Sequence, residues 1–371
     1  MICTMAVKRP LNVLFMTRRF PPSVGGMEKF AYDLHNSLKV KARVRLIKWG
    51  GSNKYIPVIL MPVFFLRACW VLITQRVDVI HVQDGVFSIL GVALKFIFRK
   101  PLTVVIHGLD ITHEGKLYKF LIPKALKRAD HIFCISNVAM EEVIRRGIDK
   151  NKVSFVPLGI TDDLNLVDKA ASKQRVLQKL AVPSSSKLIL STGRLVRRKG
   201  VDWFIESVLP ELIQENSSIY FIVSGTGPEL ETIEQTIKRQ KVEANIRLLG
   251  RTSDEFLRDL YNGSDIFVMP NIKVPGDMEG FGLVLLEAAL CELPIVATGI
   301  EGITDAIIDG QNGILVGEKD TTSFTLEIRS LLSVPAKAHQ LGNKARQFTL
   351  KNFSWDKIAQ AYTDEYQKLL G

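Results

Sequence analysis

The chain has 371 residues, 49 Lys and Arg against 38 Asp and Glu for a formal charge of +11, and 47% hydrophobic side chains. That apolar content excludes a disordered chain, and at roughly 100–200 residues per domain the length predicts two domains with separate cores. The four cysteines, Cys3, Cys69, Cys134 and Cys291, have no pair spacing, which argues against a disulfide framework or a zinc site and fits a reducing cytosol.

The charge is lopsided. Residues 1–130 hold 21 basic and 7 acidic side chains, whereas the remaining 241 hold 28 and 31. A one-sided basic field predicts an anionic partner for the first part of the chain: phospholipid, phosphorylated substrate or nucleic acid. Nucleic acid fits least, because no aromatic side chains interleave the basic clusters and no nucleic-acid module is present.

In chain order, the opening MICTMAVKRPLNVLFM has no uninterrupted apolar run ending in a small-residue cleavage site, so it does not read as a signal peptide. Runs rich in Val, Ile, Leu and Phe predict strands at Leu11–Met16, Arg43–Trp49, Val77–Val82, Leu102–His107, His131–Ile135 and Val153–Val156. They lack period-two alternation, the mark of parallel strands covered on both faces. Between the second and third lies the apolar stretch Tyr55–Gln75. Arg67 and two prolines make it a poor membrane span, and it reads as a buried or interface-facing segment ending in a helix, with shallow insertion as the alternative.

The polar stretch after Thr161, with Pro183 and three serines, reads as a connector containing a short helix. A second alternation follows, with strands at Leu188–Thr192, Ser218–Ser224, Asn245–Leu249, Asp265–Met269, Pro294–Thr298 and Gly313–Val316. The expected fold class is α/β, two doubly wound Rossmann-like domains: an N-terminal one over residues 1–165, a linker at 166–187 and a C-terminal one over 188–353. The last segment, residues 354–371, carries Trp355, Ile358, Tyr362, Tyr366 and Leu369 at helical spacing and needs a partner surface.

Doubly wound sheets bind ligands beyond the carboxyl ends of their strands. After the first strand, Gly25-Gly26 precedes a helix, a geometry that suits an anion but is as often only a tight turn. The fourth strand runs into His107-Gly-Leu-Asp110, which puts an imidazole and a carboxylate at the same edge; alone, His107 is equally explained as a structural histidine. His113 nearby could complete a metal set, but there is no Asp-x-Asp pair and no second ligand cluster, so no metal is expected.

In the second half, Arg194 follows a strand and Lys199 precedes a helix, a guanidinium fork plus a point charge suited to a diphosphate. Arg197 and Arg198 read as a solvated cluster. The most specific feature is Glu279-Gly-Phe-Gly-Leu-Val-Leu-Leu-Glu287. It sets Glu279 in a loop, Gly280-Phe281-Gly282 at a helix start, and Glu287 about two turns along, with bare amides at Phe281–Val284 for sugar or phosphate oxygens.

Together the segments FPPSVGGME, HVQDG, VIHGLD, STGRLVRRKG, VSGTGPEL, IRLLG, YNGSDIFVMP, EGFGLVLLE, PIVATGIEG and DGQNGILV resemble the retaining nucleotide-sugar glycosyltransferases of family four, which have the GT-B fold. The resemblance implies two facing Rossmann-like domains with an interdomain cleft and a C-terminal crossover helix. It implies a UDP- or GDP-sugar donor and no metal or other cofactor. By position it gives Glu279 a contact to the donor sugar, Phe281 and Gly282 amides to its hydroxyls, and Leu283 and Val284 amides to the diphosphate. Glu287 would take the ribose, and Arg194 and Lys199 the leaving diphosphate, with the Gly25-Gly26 amides closing over it. His107 would stand beside the sugar and acceptor, Glu28 and Asp110 on the acceptor side, and Gly225, Gly227 and Arg251 near the base.

The acceptor is argued from charge. The basic, apolar first domain suits an anionic membrane surface, with Arg18, Arg19, Lys39, Lys41, Arg43, Arg45 and Lys48 beside Tyr55–Leu66. The expectation is a peripheral enzyme on the cytoplasmic face of the cell membrane, acting on a lipid-linked glycan or a phospholipid in cell-envelope polysaccharide or glycolipid synthesis. The competing readings are a sugar-nucleotide epimerase on the same fold and a non-catalytic nucleotide-sugar-binding regulator.

Overall fold

A computed structural model of the protein describes residues 9–23, 25–51, 60–108, 111, 115–162 and 166–371. The expected positions Asp110 and His113, and the start of the Tyr55–Gln75 stretch, lie outside the described residues. The chain forms two compact units: one takes the chain up to Gly159 together with Trp355–Gly371, the other spans Ile160–Ser354.

The first unit is built on a parallel sheet of six strands, β1 (Asn12–Thr17), β2 (Arg43–Lys48), β3 (Val79–Val82), β4 (Leu102–Ile106), β5 (His131–Cys134) and β6 (Val153–Phe155), in the order β2-β1-β3-β4-β5-β6. Alternate side chains go to opposite faces, because a strand has a side-chain period of two. Leu14, Met16, Ile80, Val82, Val104 and Ile106 pack against the helices Met61–Thr74, Ser88–Phe98 and Lys116–Leu126. Phe15, His81 and Phe133 face the other way.

There the chain's last helix, Trp355–Lys368, returns and packs beside Gly26–Lys41, as its aromatic stripe requires. The Phe133 and Tyr362 rings lie 4.2 Å apart, Trp355 meets Phe30 at 5.6 Å, and the Tyr366 hydroxyl reaches His81 Nδ1 at 2.9 Å. Gly159 lies against the Trp355 ring, where a Cβ would come within 2.5 Å of the indole.

The second unit carries β7 (Lys187–Thr192), β8 (Ile219–Ser224), β9 (Ile246–Leu248), β10 (Ile266–Met269), β11 (Ile295–Thr298) and β12 (Ile314–Val316), all parallel, in the order β12-β11-β10-β7-β8-β9. The topological switch falls between β7 and β10, and a doubly wound sheet binds its ligand beyond the carboxyl ends at such a switch.

The stretch read as a connector belongs to this unit instead. Its helix Lys169–Leu180, started by Asp168 accepting from the Ala170 and Ala171 amides, packs along Asp254–Gly263. Arg175 pairs with Asp259 at 2.5 Å and Lys173 with Asp265 at 2.7 Å. Asp265 in turn accepts from the Leu188 amide at the start of β7. Acidic partners some ninety residues downstream tie down a segment whose own composition looked like a loop.

Candidate active site

In the second unit the loop after β7 tightens into a single 3₁₀ turn, Arg197–Lys199, that ends on Gly200. Gly200 has φ +60°, and a Cβ there would sit 2.1 Å from the Pro270 carbonyl oxygen. Only glycine lets this turn lie directly on the loop after β10. The Ile272 amide then donates to the Arg198 carbonyl at 2.8 Å, and the two loops deliver their side chains to one place.

That place is the Glu279 carboxylate, which is buried. Lys199 Nζ lies 2.6 Å from Glu279 Oε2, Asn271 Nδ2 donates to the same oxygen at 2.9 Å, and Arg198 Nε stands 3.4 Å away. Burial alone would raise the carboxyl pKa, but the Lys199 and Arg198 charges and the hydrogen bonds from Lys199 and Asn271 outweigh it and hold it below the ordinary value. Glu301 is the counterpart: Oε2 accepts from the Glu279 amide at 2.6 Å. Its pKa is raised, by burial first and by the Glu279 charge, against the lowering effect of that amide.

Four residues after Glu279 the helix Leu283–Leu290 begins. Its N-cap is Gly282, at φ +83° with no side chain to cap the first turn, so the leading amides at Leu283 and Val284 have no partner within the helix. Phe281 is buried edge-on against Phe353 at 5.8 Å and anchors this helix start. About one turn on, Glu287 Oε2 accepts from the Tyr261 hydroxyl at 2.8 Å.

The loops after β7, β8 and β9 converge on the same edge through glycine contacts. Gly193 donates to the Ser224 carbonyl at 2.9 Å and Gly225 to the Gly250 carbonyl at 2.8 Å, which brings Arg251 next to Gly225. A Cβ on Gly225 would lie 1.8 Å from the Gly193 oxygen, and one on Gly227 2.0 Å from the Leu195 oxygen. The Arg194 side chain, exposed on this edge, makes no ion pair or hydrogen bond among the described residues.

The first unit has its own set of groups at the carboxyl edge of its sheet. His107 follows β4, is buried, and donates from Nε2 to the Gln83 carbonyl at 2.9 Å; a carbonyl only accepts, so Nε2 carries a proton. Phe30 meets the imidazole edge-on at 5.3 Å, and Gly108 turns the chain away at φ +96°.

Glu28 is buried in the first turn of the helix Gly26–Lys41, paired with Arg19 at 3.0 Å. Its carboxylate occupies the space where a Cβ of Gly25 would point, 2.4 Å away, while nothing comes within 4 Å of that position on Gly26. The side-chain amide of Gln83, in the segment HVQDG, is buried, and among the described residues neither its oxygen nor its nitrogen has a hydrogen-bond partner.

Several functional side chains escaped the sequence. Arg198 is not solvated but is held between Asp277, at 2.7 Å, and Glu279. Gln83, Tyr261 and Glu301 fall in segments that carry the resemblance but have no role assigned there, and Asn271 falls in none; their signal is the fold that brings separate loops together. The basic patch proposed for the start of the chain is also partly neutralised: Arg18 pairs with Asp84, Arg19 with Glu28 and Lys41 with Asp356, whereas Lys39, Arg43, Arg45 and Lys48 are exposed.

A tandem of Rossmann-like sheets whose second half carries basic side chains, a bare helix start and paired glutamates defines the GT-B class of glycosyltransferases. The family model for Glycosyl transferases group 1 matches residues 172–348 and that for Glycosyltransferase Family 4 matches 24–164, and the chain belongs to this family of glycosyltransferases. It is 27% identical over 305 residues to an uncharacterized glycosyltransferase of Methanocaldococcus jannaschii, covering 79% of this chain and 76% of that protein. It is 25% identical over 365 residues to the GDP-mannose-dependent alpha-(1-6)-phosphatidylinositol monomannoside mannosyltransferase of Mycolicibacterium smegmatis, covering 92% and 95%. Among solved structures, Anabaena HepE in complex with UDP and glucose superposes with a TM-score of 0.77 at 19% identity, covering 96% and 99%.

Proposed function

We propose that this glycosyltransferase is a retaining, metal-independent hexosyltransferase that takes its sugar from a UDP- or GDP-linked donor. The observation that carries the reading is the Lys199–Glu279 contact at 2.6 Å beside the uncapped Gly282 helix start. On this reading the donor diphosphate meets the Leu283 and Val284 amides, Lys199 and the unpaired Arg194, the sugar hydroxyls meet Glu279, and the ribose meets Glu287. Sugar–phosphate cleavage builds negative charge on the departing diphosphate. Cationic groups and amides already aimed there stabilise that charge more than the ground state. Because Glu279 stays ionised against Lys199, it holds the ammonium at the edge where the diphosphate would lie.

His107 and Glu28 line the acceptor end of the reading, where attack comes from the same face and the leaving phosphate takes the acceptor's proton. The relatives named as acting on phosphatidylinositol lipids and the basic first part of the chain support a phospholipid or lipid-linked glycan acceptor. They equally support a peripheral station on the cytoplasmic face of the membrane. The test is a thermal-shift screen against UDP, GDP and their sugars, followed by transfer of radiolabelled sugar into a lipid extract, with and without EDTA. Stabilisation by one nucleotide and EDTA-resistant labelling with retained anomeric configuration are expected. Binding without transfer would instead indicate the regulator, and an isomerised donor the epimerase.

A further inference from the structure

The helices Met61–Thr74, Ser88–Phe98 and Lys116–Leu126 lie side by side on one face of the first sheet, and their outward surface is unlike the rest of the molecule. None of the three contains an Asp or a Glu. Met61–Thr74 buries Phe64 and Ala68 against the sheet, yet leaves Leu66, Trp70 and Ile73 exposed at 67%, 62% and 74%. Those residues fall at i, i+4 and i+7, a single outward stripe. On the neighbouring helices Phe96, Ile97 and Phe120 are exposed at 64%, 59% and 57%. Exposed cations stand among them: Arg67, and Arg99, Lys124 and Lys127 at or near the helix ends. Lys124 Nζ lies 3.4 Å over the Phe120 ring.

A monomeric surface rarely keeps so many large apolar side chains together, and a protein partner of ordinary composition would have to answer the cations with acids of its own. We infer that this three-helix face is the surface by which the protein docks on an anionic phospholipid bilayer, with Leu66, Trp70, Ile73, Phe96 and Phe120 entering the headgroup–acyl boundary and the cations meeting lipid phosphates. Charge complementarity chooses this occupant: an acid-free face suits a negative leaflet, where each Lys or Arg near the surface adds attraction and apolar side chains add burial. Among the described residues no helix is long and apolar enough to cross a membrane, so the contact lies on the surface. The inference rests on the lipid-surface reading of the function and moves its location. Of the basic residues near the start of the chain, Arg18, Arg19 and Lys41 are paired with carboxylates, and the apolar docking face lies on these helices, with Arg45 bordering the groove beside Leu66 and Trp70.

The experiment is flotation of the full chain with vesicles of phosphatidylcholine, alone or with a third phosphatidylglycerol. It compares wild type, W70S/F96S, and V40S, which alters an exposed residue on the helix Gly26–Lys41. Both W70S and F96S change side chains outside the core, and circular dichroism melting checks that the fold is kept. Wild type and V40S are expected to float with the anionic vesicles only, and W70S/F96S to lose about tenfold or more in vesicle affinity. Trp70 emission should shift to the blue on binding. If all three proteins bind anionic vesicles equally, this face is not the docking surface, although the lipid-surface reading survives. If wild type does not bind, both fall. If it is instead a dimer in solution that W70S/F96S makes monomeric, a second copy covers the face and the inference is overturned.

Discussion

The Tyr261 hydroxyl sits 2.8 Å from Glu287 Oε2 and 2.7 Å from Thr192 Oγ1, in a fully buried position. A carboxylate only accepts, so Tyr261 donates to Glu287 and Thr192 donates to Tyr261. Burial first, and the Glu287 charge next, raise the phenol pKa well above its ordinary value and keep it a donor. This relay fixes the one glutamate of the helix Leu283–Leu290 from the far end of β7.

Tyr261→Phe therefore takes one hydrogen bond from the Glu287 carboxylate and leaves the Thr192 hydroxyl without its acceptor. The variant should lose about 1–3 kcal/mol in a urea melt, and its KM for the donor should rise severalfold while kcat changes much less, because the proposed function puts Glu287 on the ribose, remote from the reacting bond. A variant whose KM matches wild type would remove Glu287 from the donor site.

Arg194 and Lys199 should separate stability from activity. Arg194 is exposed and unpaired, so Arg194→Ala should leave the melting temperature within about a degree or two. Lys199→Ala strips a buried carboxylate of its nearest cation and should destabilise by about 1–3 kcal/mol. Both should cut turnover at least tenfold, since the proposed function has both cations stabilise the leaving diphosphate. Near wild-type transfer by either variant rejects its assignment.

Much of this is legible in the sequence itself. All twelve strands answer to apolar runs, because a parallel sheet buried on both faces writes itself into the sequence as continuous Val, Ile and Leu. The Glu279–Glu287 segment was equally legible, since its spacing is local. What was hidden depends on partners far along the chain. Arg198 looked solvated because Asp277 and Glu279 lie some eighty residues away, Lys169–Leu180 looked like a linker because Asp259 and Asp265 do, and Arg18, Arg19 and Lys41 looked like an open basic patch because composition does not record their carboxylates. The apolar stretch was read correctly as ending in a helix, but which of its residues face outward required the helix to be seen against its sheet.

His81 predicts an acid limit for the first unit. It is fully buried among Phe15, Phe133, Tyr362 and Tyr366, and its Nδ1 lies 2.9 Å from both Tyr366 and Thr103 hydroxyls. Burial, with the nearby His107, lowers its pKa to about 3 from 6.5. A depressed histidine contributes stability that is fully present above the unfolded value and is lost as the pH falls toward the folded one, here from 6.5 toward 3. Wild type should thus weaken by several kcal/mol across that window. In His81→Gln, whose amide oxygen can still accept from Tyr366, the slope should be shallower. Parallel pH profiles of urea midpoints would show that His81 is not the titrating group.

Gly225 and Gly250 offer the sharpest test of how the donor edge is built, because both have positive φ, +149° and +61°, and only one is crowded. A Cβ on Gly225 meets the Gly193 carbonyl oxygen at 1.8 Å, whereas on Gly250 it finds nothing within 4 Å. Gly250→Ala should therefore cost only the conformational strain, about 1 kcal/mol. Gly225→Ala has to push apart the loops after β7 and β8, where the obstacle is backbone rather than a side chain that can turn aside. It should cost at least about 3 kcal/mol or yield no soluble protein. Any folded Gly225→Ala should also bind nucleotide worse than Gly250→Ala does, since the displaced loop carries Arg194. Equal urea midpoints for the two variants would mean that these loops do not meet through Gly193 and Gly225.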